Sequence, residues 1–262
     1  MKRDPFEGAG EPIPMDERQE VVKALLDVSY PNRSLTITDI TSFDFLRDLA
    51  FVFVEKYDVP AGVTAIRSFI FDTRFSISPI LIFGLARSFS WNEEAEFAST
   101  LTLDLDFRLP DVQSQLQSIG PQNALDLIQL RASRRRIVLD AMLVDGDKRH
   151  SEYTDTQIDW LSICTVDSGD GTETPTGNQC NKWSSFANDP VWMAFKFLIS
   201  EELEIRPSGK GLKEHRFWSR PVVDDVRKLG QTCPSCLGSI FTPDALHDAI
   251  NDLIDRIPKS VK

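Results

Sequence analysis

The side chains with the most chemical potential in this chain are its four cysteines. Cys233-Pro-Ser-Cys236 is a C-x-x-C pair, and that spacing can supply two of zinc's four tetrahedral ligands. Cys180 is the third candidate ligand, with Cys164 or His215 as a fourth. Fifteen residues separate Cys164 from Cys180, which is not the spacing of a zinc knuckle, so half of the usual pairing is missing. A redox C-x-x-C belongs at a strand–helix junction in a βαβ setting. Here a helical pattern, Pro221 to Leu229, precedes it. Reduced thiols packed as small hydrophobes explain the four cysteines with the fewest assumptions. The metal candidates are therefore Cys180, Cys233 and Cys236, and no cofactor is expected.

Other constellations fail on spacing. The three histidines, His150, His215 and His247, lie in no H-E-x-x-H or comparable arrangement. Ser208-Gly209-Lys210-Gly211 lacks the earlier Gly and the following Ser or Thr of a phosphate loop, so a turn between helices is expected. Asp167-Ser-Gly-Asp170-Gly171 would put Val166 and Gly177 at the two key ligand positions of a calcium loop. It is expected to be a solvated acidic loop. Arg134-Arg135-Arg136 is a basic run on a helix; such a run usually forms a solvated face or pairs with carboxylates of a neighbouring helix. No nucleophile–base pair, metal triad or cofactor fingerprint is recognisable by spacing, so no catalytic residue is expected and the chain is read as a non-enzyme. The rival is a metal-dependent regulator or enzyme with a thiol site in the C-terminal half.

Composition narrows the partners. The chain has 29 basic and 40 acidic side chains and a formal charge of −11. Such a balance disfavours phosphate backbones and anionic membrane surfaces. Hydrophobic residues make up 41% and charged residues 26%, which suits a globular protein rather than a disordered one. The opening MKRDPFEGAGEPIPM has no apolar core of a signal peptide. The longest dense apolar stretch, Ile77 to Ala86, is shorter than the ~18–20 residues that span a bilayer. The expected location is intracellular, cytoplasmic or nuclear, and neither nucleic acid nor a membrane is expected as a partner.

Helices must position whatever site exists. Residues 1–14 read as a tail or an edge strand near Glu11 to Met15. From Asp16, Val21, Val22, Leu25, Leu26 and Tyr30 recur at spacings of three and four and predict one apolar face. A second helix is expected from Ser42 to about Tyr57, apolar nearly all round and so deeply buried. Val59-Pro60, Ser78-Pro79, Gly120-Pro121, Asp189-Pro190 and Thr242-Pro243 each open an apolar-periodic run, because proline costs nothing at the first helical position. Ser90 and Glu93 have the spacing of a capping box. The Pro121 helix is expected to reach about Val144, with Leu125, Ile128, Leu139 and Met142 inward and Arg131, Arg134 and Arg135 outward. Residues 145–182 are polar and turn-rich, a loop or insertion. Three helices follow: Asp189 to Leu203, Ser219 to Leu229, and Thr242 to Ile257. They are expected to form a group with a thin core. The fold class is mainly α.

Leu25-Leu-Asp-Val-Ser-Tyr-Pro31, followed after a gap by Phe53-Val-Glu-Lys-Tyr-Asp-Val-Pro-Ala-Gly-Val-Thr-Ala-Ile-Arg-Ser-Phe-Ile70, resembles the C-terminal half of a BTB/POZ domain. The chain as a whole is similar to fungal BTB-containing proteins. The Ser78–Phe89 helix, the Trp91 to Ala95 start, the Arg134–Met142 helix and a distal Cys180, Trp183, Arg206-Pro-Ser-Gly209, Cys233, Cys236 pattern extend the match. The resemblance implies a partial BTB/POZ module over 15–75, a helical extension over 76–144, the polar loop 145–182 and a C-terminal helical region over 183–262. It further implies a protein–protein interaction role, as an adaptor or regulatory scaffold. Only 24 residues precede Leu25, where a full module carries most of its small sheet and its dimer-forming first helix. The resemblance thus implies a module short of its N-terminal half, with the apolar faces of its first two helices left to cover or to bind.

Overall fold

Among the described residues of the computed structural model of this chain, proline stands at the first position of seven helices. Its fixed φ suits a helix start, and its missing N–H is one that no intrahelical carbonyl would accept. The structure describes residues 15–30, 33–72, 78–142, 189–231 and 243–261. Among these, 76% are helical and none is in a strand, so the protein is mainly α. The expected edge strand near Glu11 and the polar segment 145–182 lie outside the described residues, Met15 excepted. The chain divides into two units, Met1–Phe75 and Ser76–Lys262.

The first unit holds α1 (Gln19–Ser29), a 3-10 turn (Ile37–Asp39), α2 (Phe43–Phe51) and α3 (Pro60–Ile70). Ser42 caps α2, its hydroxyl accepting from the Phe45 N–H at 3.2 Å. The helical segment runs from Phe43 to Lys56, close to the expected span, but its last turn is not α. After Phe51 the chain widens into a π-helical turn, Val52–Lys56, closed by the Tyr57 N–H on the Val52 carbonyl at 3.0 Å. Phe45, Leu46, Leu49, Ala50, Val52 and Phe53 are buried, but Phe51 is exposed. The helix has α1 and α3 as neighbours, on only part of its circumference, so its apolar girdle cannot be buried all round. Asp58 takes a left-handed conformation, φ 48°, and Pro60 then starts α3. Gly62 packs directly under the Phe53 ring, where a Cβ would collide with it.

The second unit starts with α4 (Pro79–Ser88), which is buried along most of its length. Through Ser90, held at φ 58°, it leads into α5 (Asn92–Thr102). The helix begins where expected, but the capping box does not form. Trp91 occupies the cap position with no side-chain bond, because Ser90 is spent on the left-handed turn and Trp91 stacks on Phe89 at 5.1 Å. Of the polar residues just before these prolines, Asp189 caps its helix, accepting from the Val191 N–H at 2.8 Å, and Ser78 makes no side-chain cap bond. A helix that the pattern did not suggest, α6 (Pro110–Ser118), buries only Val112 and Leu116. Then come α7 (Pro121–Ala141), α8 (Pro190–Ile205), the short α9 (Lys210–Lys213) and α10 (His215–Trp218), α11 (Pro221–Gln231) and α12 (Pro243–Arg256).

The inward face of α7 differs from the expected one. Leu127, Leu130, Arg131, Arg134, Ile137 and Val138 are buried, while Leu125 and Ile128 are exposed. The buried set keeps a 3.6-residue period, rotated so that two arginines lie within it. Nor is the C-terminal group thin in its core. Ile137, Val138 and Met142 share one cluster with Trp192, Phe195, Leu212, Phe217, Trp218 and the buried faces of α11 and α12. Its aromatic centre packs edge-on, with Phe217 and Trp218 at 5.5 Å.

Candidate protein-binding face

The first unit carries an open apolar surface. Its first helix has too many apolar residues for one inward stripe. Val21 and Ala24 are buried, which turns Val22, Leu26 and Tyr30, spaced at four, toward the other side. Leu26 is 46% exposed and Tyr30 58% exposed, so the apolar residues expected on one face of this helix are divided between a buried side and an open one. Met15, Gln19, Val22, Lys23, Leu26, Asp27 and Arg33 line a shallow open groove of about 410 Å³. Charged pairs mark its ends. Arg33 meets Asp27 at 2.8 Å, and Arg18 meets Glu20 at 3.0 Å and Asp48 at 2.6 Å.

The approach to this face is braced from the turn before α3. Lys56 donates to the Glu17 carboxylate, and the Tyr57 hydroxyl donates to the same oxygen at 3.3 Å. The bond from Lys56 holds the Glu17 carboxyl below its usual range, and the same bond raises the Lys56 ammonium. The bracing ties the segment just before α1 to the Lys56-Tyr57-Asp58-Val59-Pro60 turn. The groove offers apolar contact, one amide at Gln19 and a charged rim.

Cys180, Cys233 and Cys236, with Cys164 and His150, lie outside the described residues. Among the described residues no three metal-ligating side chains come together. His215 sits with Ser219, its Nδ1 3.1 Å from the hydroxyl. His247 meets Asp248 and Asn251 and lies edge-on to Trp218 at 4.7 Å. Ser208 and Gly209, the latter at φ 79°, form a turn between helices, while Lys210 and Gly211 already belong to α9. No helix among the described residues is long and apolar enough to cross a membrane.

Arg131 and Arg134, expected outward, are structural. Arg131 donates to the Thr102 and Leu105 carbonyls at 3.1 and 2.9 Å and to those of Glu204 and Ile205 at 3.0 and 3.2 Å. Its guanidinium lies 3.9 Å from the Phe107 ring centre. Arg134 donates to Pro207 at 2.8 Å, Ile257 at 3.1 Å, Ser208 at 3.5 Å and Pro258. The acceptors are the orphan carbonyls at the ends of α5, α8 and α12, where the helix dipole also favours a cation. Burial pushes both guanidinium pKa values down to about 10, which leaves them charged at neutral pH. Arg135 does pair with a neighbouring helix, donating to Ser200 at 2.9 Å and to Glu204.

Comparisons with protein-family models, with curated proteins and with solved structures find no match to this chain.

Proposed function

We propose that this chain is a protein–protein interaction module of the BTB/POZ type, an adaptor or regulatory scaffold with no catalysis of its own. The observation that carries the reading is the open apolar face of α1, with Leu26 and Met15 exposed along one groove and Tyr30 exposed one turn on from Leu26. Large apolar side chains gathered in one groove with a charged rim are the usual make-up of an interaction site. Both exposed anchors, Leu26 and Tyr30, belong to the Leu25–Pro31 segment on which the family resemblance rests. Complete burial of a large apolar side chain contributes about 1.5–3 kcal/mol; for these two, already half covered, about 0.7–1.7 kcal/mol each remains. Micromolar binding requires about 8 kcal/mol, so the partner must cover the charged rim as well as the groove.

A photo-reactive side chain at Leu26, compared with one at exposed Glu93 in the second unit, tests the reading. A discrete crosslinked partner, or a crosslinked second copy, is expected at position 26 and not at 93, and should be lost on Tyr30→Asp. Equal labelling at both positions, together with a concentration-independent monomer by light scattering, would overturn it.

A further inference from the structure

We draw no further inference here: the strongest candidate, the outward stripe of α8 formed by Met193 and Phe197 beside Lys196, is an apolar face left open among the described residues, and nothing in the structure shows what covers it.

Discussion

Replacing Arg134 by alanine should be among the most damaging single changes in the second unit. The residue is 1% exposed, and its guanidinium serves four backbone carbonyls. The acceptors at Pro207 and Ile257 are in buried bonds, so truncation strands two carbonyls away from water, at about 1–3 kcal/mol each. Losing the buried methylenes adds about 0.8 kcal/mol apiece. Against this stands the released desolvation penalty of the guanidinium, several kcal/mol. A net loss of about 3–5 kcal/mol is expected, the range for breaking a buried charged network. Arg134→Lys should recover part of it, since an ammonium keeps the charge but cannot reach carbonyls on both sides of a planar fork. Arg136→Ala, at an exposed position two residues on, should stay within about 0.5 kcal/mol. Urea unfolding followed by far-ultraviolet circular dichroism reads all three. Equal, small effects at 134 and 136 would refute the reasoning, for they would mean that the basic run is a solvated face after all.

The remaining expectations test other contacts. Leu26→Asp should leave the thermal midpoint nearly unchanged while abolishing the crosslink formed from a photo-reactive side chain moved to Gln19 in the same groove, because Leu26 is already about half in water; a large drop in midpoint would show that it belongs to the core. Leu125→Gln with Ile128→Lys should cost under about 1 kcal/mol by the same unfolding assay, since both side chains are exposed. Gly211→Ala places a methyl against the Glu202 carboxylate and the Arg206 guanidinium, which are paired at 2.6 Å; about 2–4 kcal/mol of lost stability is expected. The Glu17 carboxyl is depressed in the folded state, so its pairing with Lys56 stabilises above the ordinary carboxylate range and fades as pH falls through the depressed value. Glu17→Gln should flatten that acid limb in a pH series of thermal melts and leave the curve's slope between pH 6 and 8 unchanged.

The elements were largely legible because their punctuation is local. Proline at N1 acts within a single turn, so Pro60, Pro79, Pro121, Pro190 and Pro243 could be read without knowing any neighbour, and each begins a helix. α6 escaped because a short helix with only Val112 and Leu116 buried shows too little period to count. The capping box at Ser90 failed for a related reason. Its spacing is a local signal, but the turn out of α4 needed a left-handed residue at that position, and a residue at φ 58° cannot also have the extended backbone of a cap.

Phase is what a period cannot supply, and both corrected faces turn on it. A repeat of three and four says that a stripe exists, while the neighbouring helices decide which way the stripe points. On α7 the rotation brings Arg131 and Arg134 inward, against the rule that basic residues face water. The rule gives way because three helix ends converge there and leave carbonyls that only a forked donor can satisfy together. A nonpolar side chain at 134 would bury just as well by area and would leave those acceptors bare. On α1 the rotation runs the other way. Val21 and Ala24 satisfy the core of the first unit, and Leu26 and Tyr30 are left facing outward. The same indeterminacy therefore hid a structural clamp behind a basic motif and a candidate binding face behind an ordinary amphipathic helix. Only contacts between segments distant in sequence, such as Arg134 with Ile257, separate the two cases.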